Sequence, residues 1–240
     1  MNRGIYIVGT DTGVGKTAVA AGLMRLLLKN QCRAAYFKPV ASGMTVVEGA
    51  AVSVDAAFVN VVSGFADNPE QVTTFVYADA VSPHLAARMA GRPIDGIVIR
   101  KSLEVLKARY DWIVAEGAGG LAVPLNDDGF MQYDLIRDLN FPCLLVARAG
   151  LGTINHTLLT LGFAKSAGLI VKGIIMNGMG DSLIELDNVE TIKKLSGVEA
   201  VFTLPIVAPL DTENLQAGNL GEIFEQAVRF DDIISLMGII

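Results

Sequence analysis

Short, unbroken apolar runs, each followed by a segment of helical period, constrain this chain more than any other feature. The runs are GIYIVG (4–9), AAYFKPV (34–40), DWIVAEG (111–117), FPCLLVAR (141–148) and LIVKGIIMN (169–177), with VFTLP (201–205) as a shorter sixth. A strand with one wet face alternates apolar and polar residues. An unbroken run instead fits a strand covered on both faces. Helical periodicity predicts helices near 16–29, 53–63, 83–90, 96–109, 154–166, 187–196 and 220–228. The alternation predicts an α/β fold built on a doubly wound, mainly parallel sheet. No linker, repeat or low-complexity stretch intervenes, so residues 1–240 read as one domain, and GMTVVEGAAVS (43–53) reads as a loop.

Composition narrows the function. Apolar residues reach 52% against 18% charged, which a buried parallel sheet and a sizeable subunit interface would together absorb. The net charge is −6 and no basic block exists, which argues against nucleic acid or an anionic membrane as partner. No apolar run approaches the roughly 18 residues of a spanning helix, and MNRGIYIVGT lacks a signal-peptide layout, so residence in the cytoplasm is expected. The two cysteines, Cys32 and Cys143, have no metal-ligand spacing, and both read as packing residues in or beside strands.

In open α/β sheets ligands bind beyond the carboxyl ends of the strands, and the residues of chemical interest here follow the apolar runs. The first group is GTDTGVGKT, Gly9 to Thr17. A strict phosphate loop would place glycine at position 10, where this chain has Thr10, so the loop is one residue longer. Backbone N–H groups of Gly13, Val14 and Gly15, continued by Lys16, Thr17 and Ala18 at a helix start, would cradle phosphate oxygens. Lys16 would reach the β- and γ-phosphates of ATP and Thr17 would offer its hydroxyl to Mg²⁺.

Lys38 in AYFKPVASG reads as a strand-end lysine beside that loop, able to neutralise charge on a transferring phosphoryl group. Asp55 falls in the first turn of a helix, where the helix dipole alone would favour an acid. Glu116 follows four apolar strand residues and precedes a glycine run that permits close ligand approach. Read together, Thr17, Asp55 and Glu116 form a candidate Mg²⁺ shell completed by phosphate oxygens and water. SPHLAARMAG (82–91) and LGTINHTLL (151–159) both open helices; His84 reads as a helix-start residue rather than a catalyst, and His156 has no acidic or Ser partner suited to a nucleophilic triad.

These stretches jointly resemble the dethiobiotin synthetases, ATP-dependent carboxylases of biotin synthesis. GTDTGVGKT, FKPVASG, SPHLAA with GRPI, VAEGAGGLAVPL, LGTINHTLLT and IIMNG stand in that family's order and approximate spacing, from residue 4 to about 225. The resemblance implies a P-loop NTPase-like fold and a reaction of diaminopelargonic acid, CO₂ and Mg-ATP that passes through a carbamate and a mixed carbamic-phosphoric anhydride. It implies that Lys16, Lys38 and Thr12 serve catalysis, with Lys16 and Lys38 holding the γ-phosphate and carbamate. Thr12 and Ser42 match positions contacting the carbamate and diamine. Asn177 matches the adenine reader, Pro205, Ile206 and Val207 the base pocket, and Glu213 the ribose. The family is a homodimer with its site at the interface, where Gly152, Thr153 and Asn155 would cap the substrate's far carboxylate from the partner subunit. The stretch VVEGAAVSV keeps Glu48 and Gly49 but lacks the polar and basic residues common there, and VAPLDTEN also departs from the pattern.

Two other classes share such a loop. A partition or switch ATPase of this type usually carries Lys where this chain has Asp11. An amidotransferase-type synthetase needs a glutaminase cysteine, for which a strand-buried Cys143 is unsuited.

Overall fold

The computed structural model describes residues 2–47 and 49–240. Its sheet grows from the apolar runs. In chain order the elements are β1 (Arg3–Gly9), α1 (Lys16–Lys29), β2 (Ala34–Ser42), β3 (Met44–Val47), β4 (Ala50–Ser53), α2 (Val54–Ser63), α3 (Pro69–Val72), β5 (Thr73–Tyr77), α4 (Pro83–Met89) and α5 (Gly96–Arg109). There follow β6 (Trp112–Gly120), α6 (Gln132–Leu139), β7 (Cys143–Arg148), α7 (Thr153–Ser166), β8 (Val171–Met179), α8 (Leu183–Ser196), β9 (Ala200–Pro205), α9 (Leu220–Ala227), α10 (Phe230–Leu236) and β10 (Gly238–Ile239).

The main sheet runs β5-β2-β6-β1-β7-β8-β9, and those seven strands are parallel. The short β10 joins β1 antiparallel at its start, pairing Arg3 with Ile239. Ile5, Ile7, Ile113, Val114, Leu144, Leu145, Ile174 and Ile175 are wholly buried, as unbroken apolar runs in a doubly covered sheet require. The expected strands and helices all appear, with the helix expected at 187–196 starting earlier, at Leu183, behind a Ser182–Glu185 capping box.

Three differences bear on the site. The stretch expected as a loop at 43–53 is a hairpin in which β3 pairs β4 from Met44↔Ser53 to Val47↔Ala50. Its β-branched residues and the left-handed Gly49 (φ 85°) make the pairing possible, while Glu48 lies outside the described residues. Lys38 does not end its strand: β2 continues to Ser42, paired with β5. The pairing of β2 with β6, however, stops at Phe37↔Ala115, and Pro39 has no N–H to extend a ladder. Lys38 thus stands where the two strands part. Finally, β5, which follows α3 directly and spans five residues, and α6, which spans eight, are elements too short for the apolar runs to mark.

Helix α1 is fastened by Val19, Leu23, Met24 and Leu27, all wholly buried. Each such side chain contributes about 1.5–3 kcal/mol gross by leaving water, which fixes the helix start against the sheet.

Candidate active site

The loop after β1 closes on Gly15, which adopts a left-handed conformation (φ 94°) and precedes α1 with no side chain capping the helix. The first N–H groups of α1 are therefore left for a ligand, the arrangement that binds phosphate. Lys16 is buried, and its Nζ curls back to donate to the Asp11 carbonyl at 3.2 Å. Burial, with the Lys38 charge adding to it, lowers its pKa below the ordinary lysine value despite Glu116, Asp55 and Asp11 nearby. A lysine held at that cost is stabilised by any anion that enters the loop.

Lys38, Asp55, Glu116 and Thr17 form one cluster. Lys38 Nζ lies 2.6 Å from Asp55 Oδ2 and 2.9 Å from Glu116 Oε1, and donates to the Gly117 carbonyl at 3.3 Å. All three ammonium donors are in use. Burial opposes the charge on Lys38, but Asp55 and then Glu116 outweigh it and raise its pKa above the ordinary lysine range. Burial likewise opposes the Asp55 charge, and Lys38, with the hydroxyl of Thr17, outweighs it and lowers that carboxyl. Asp55 enters the cluster from the first turn of α2, where Ser53 caps the helix by accepting from Ala56 N.

Thr17 Oγ1 lies 2.9 Å from both Asp55 Oδ1 and Glu116 Oε1. A hydroxyl has one proton and can donate to only one of them. The other close oxygen pair is of the kind a cation relieves, and three oxygen donors from separate elements suit a hard ion such as Mg²⁺. No group of three or more His, Cys, Asp or Glu gathers among the described residues, here included. A Mg²⁺ site that shares its ligation with phosphate needs fewer protein ligands than a cage made of protein alone.

Tyr36 was not among the residues singled out in the sequence. It lies two positions before Lys38 on β2, hence on the same sheet face, and its Oη donates to Glu116 Oε2 at 2.7 Å. The period-2 relation to Lys38 was the available signal, masked by a run that is apolar throughout. Asn177 is brought to the loop: its Nδ2 donates to the Val14 carbonyl at 2.9 Å. The remaining expected residues are placed by their own elements. Ser42 ends β2, Pro205 ends β9, Ile206 is exposed, and Glu213 is exposed on a turn whose N–H groups bond to Asp211. Gly152 caps α7 and Thr153 is buried behind it, whereas Asn155 is exposed. No hydrogen bond joins Gly152, Thr153 or Asn155 to the Lys38 cluster among the described residues. Asp11, where a partition ATPase would carry Lys, pairs with Arg148 at 3.0 Å. Cys143 is wholly buried, and burial pushes its thiol up to about 12. His156 is exposed, and its imidazole makes no hydrogen bond among the described residues.

This fold and this loop define a P-loop nucleotide-binding protein. The solved structure of the septum site-determining protein MinD with Mg-ADP from Pyrococcus horikoshii aligns over 97% of this chain and 98% of that one, at TM-score 0.59 and 18% identity. A ParA family ATPase from Chlorobium tepidum aligns over 98% and 97%, at TM-score 0.55 and 13% identity. These likenesses concern the fold alone. A family model described as an AAA domain matches residues 3–214. The ATP-dependent dethiobiotin synthetase of Clostridium kluyveri is 42% identical over 232 residues, covering 95% of this chain and 92% of the relative. That of Anoxybacillus flavithermus is 41% identical, covering 85% and 91%. The chain belongs to the dethiobiotin synthetase family.

Proposed function

We propose that this chain converts diaminopelargonic acid, CO₂ and Mg-ATP to dethiobiotin, ADP and phosphate. The observation that carries the reading is the Lys38 cluster. A buried ammonium shared by two carboxylates stands beside the phosphate loop, and no histidine or cysteine side chain hydrogen-bonds to it among the described residues. Such a site suits a reaction whose nucleophile comes from the substrate. One amine and CO₂ give a carbamate, and a carbamate oxygen attacks the γ-phosphorus as ADP leaves. The second amine then attacks the carbamoyl carbon, closes the ureido ring and expels phosphate. Phosphoryl transfer of this kind needs position and charge stabilisation above all.

In this reading Gly13, Val14, Gly15 and Ala18 hold phosphate oxygens through their backbone, and Lys16 leaves the Asp11 carbonyl for the γ-phosphate. Lys38 exchanges one of its three partners for a transferring oxygen. Asp55, with 31% of its side chain exposed against 1% for Glu116, is the partner free to yield. Thr17, Asp55 and Glu116 would hold Mg²⁺, which supplies charge neutralisation on the phosphates. Thr12 and Ser42 contact the carbamate and diamine. The amide of Asn177, its Nδ2 tied to Val14, turns Oδ1 to the adenine amine, with Pro205, Ile206, Val207 and Glu213 bounding base and ribose.

The protein acts as a homodimer in this reading. Leu151 (87% exposed), Leu159 (65%) and Phe163 leave an apolar surface at and before α7, the same segment that carries Gly152, Thr153 and Asn155. A partner subunit would cover it and receive those three residues at its substrate carboxylate. Mixing a Lys38→Gln variant with an Asn155→Ala variant should restore activity through mixed dimers. No recovery on mixing and refolding would place both residues in one subunit's site. The reaction itself is tested by mass spectrometry of protein with diaminopelargonic acid, bicarbonate and Mg-ATP. Dethiobiotin should form and vanish when any component is omitted. ATP hydrolysis without dethiobiotin would instead support the switch-ATPase reading.

A further inference from the structure

Beyond Glu116 the backbone leaves the sheet. The β1–β6 register steps from Ile7↔Glu116 to Gly9↔Gly120, so Gly117, Ala118 and Gly119 arch outward opposite the single residue Val8. An arch of this kind strips backbone groups of their ladder partners, and these must be satisfied elsewhere. One side chain does so. Gln132, the first residue of α6 and 1% exposed, accepts from Ala118 N through Oε1 at 2.7 Å and donates from Nε2 to the Gly120 carbonyl at 2.7 Å. Its own N–H donates to the Val123 carbonyl at 2.9 Å, fixing where the side chain starts. The amide stands in for the missing strand. Gly117 has no side chain for the same reason: a Cβ there would lie 2.7–2.9 Å from the amide atoms of Gln132.

The other side of the arch faces the site. The Gly117 carbonyl accepts from Lys38 Nζ at 3.3 Å, and a Cβ on Gly119 would lie 3.4 Å from Thr12 Oγ1. The arch therefore spans the gap between two proposed catalytic side chains and is held from behind by Gln132 alone among side chains whose hydrogen bonds are described.

We propose that Gln132 is a positioning residue for the phosphoryl-transfer step. It fixes the 117–119 arch and, through it, the placing of Lys38 and Thr12 about the reacting carbamate. This inference rests on the reaction proposed above. Gln132→Met keeps the side-chain volume and removes both bonds. Its kcat should fall on the order of a hundredfold, the effect of a displacement near 1 Å at a reacting centre. Its Kd for a fluorescent ATP analogue should stay close to that of the wild type, while its melting temperature falls by roughly the few degrees that leaving Ala118 N and the Gly120 carbonyl unsatisfied costs. An unchanged kcat, or a loss of nucleotide affinity as large as the loss of kcat, would overturn the role.

Gly117→Ala reads the same contact from the other partner and serves if Gln132→Met does not fold. Its Cβ displaces the amide, so it should reproduce the kcat loss, and the double variant should lose no more than either single one. Additive losses would contradict the shared contact. The wild type separates the two readings: no dethiobiotin from it sinks the reaction, whereas a productive wild type with an unimpaired Gln132→Met sinks only the role of Gln132.

Discussion

Gly15 and Asn177 interlock: a side chain on Gly15 would fall directly onto the Asn177 amide, whose Nδ2 donates to the neighbouring Val14 carbonyl. The phosphate loop and the carboxyl end of β8 thus meet at one point, 162 positions apart in sequence. Gly15→Ala should fail twice, through the left-handed backbone (φ 94°), which costs a residue with a Cβ about 1–3 kcal/mol, and through the collision. We expect ATP affinity to fall at least about tenfold, measured by titration calorimetry. Adding Asn177→Ala should recover stability but not base recognition. Unaltered ATP binding by Gly15→Ala would show that the loop does not hold nucleotide in this shape.

Lys38→Gln tests the centre of the cluster. Removing a donor that stabilises transferring charge costs on the order of a hundred- to a thousandfold in kcat. Because the place proposed for Lys38 is the reacting end rather than the loop, ATP Kd should change little. A loss of ATP affinity as large as the loss of turnover would move Lys38 from the transfer step to nucleotide binding.

Glu116→Gln keeps the shape of the side chain and removes its charge, so the cation it would share with Thr17 and Asp55 is held less strongly. The Mg²⁺ concentration for half-maximal activity should rise by about tenfold or more. Binding of Mn²⁺, followed by electron paramagnetic resonance in the presence of a non-hydrolysable ATP analogue, should weaken in parallel. A superimposable metal titration would remove Glu116 from the shell.

Remote from the site, Glu225 on α9 accepts from Lys29 at 2.5 Å and Arg25 at 2.9 Å on α1, and these bonds hold its carboxyl below the ordinary glutamate range. A depressed carboxyl contributes stability that is fully present above its unfolded pKa, near 4.3, and is lost as pH falls through the lower folded value. Lys29 and Arg25 are 64% and 38% exposed, so solvent screening limits the contribution to about 0.5–1 kcal/mol. Glu225→Gln should therefore melt lower than the wild type at pH 7, with the gap closing below pH 4. A gap independent of pH would assign the effect to packing.

The strands were legible because burial on both faces writes itself as unbroken apolar runs, and the phosphate loop because its glycines and lysine are adjacent. Lys38, Asp55 and Glu116 could be named singly, but their mutual contacts depend on β2 and β6 parting at Phe37, at which Pro39 hints without saying which strand lies alongside. Tyr36 and Gln132 were missed for opposite reasons. Tyr36 sits in a run where every residue looks like core. Gln132 opens a helix of only eight residues as the polar member of its buried stripe with Leu135, Ile136 and Leu139, and its partners are backbone atoms, which leave no sequence signature. The hairpin at 44–53 was read as a loop because its strands are only four residues long.

In the proposed reaction the γ-phosphoryl group passes to a carbamate oxygen rather than to water. Bicarbonate labelled with ¹⁸O, mixed with protein, diaminopelargonic acid and Mg-ATP and quenched within a single turnover, tests it directly. Inorganic phosphate should carry one oxygen from bicarbonate, since the bridging oxygen of the anhydride leaves with phosphorus. Phosphate labelled only when ¹⁸O-water is supplied would mean simple hydrolysis, and would contradict the proposed role of Lys38 and its cluster.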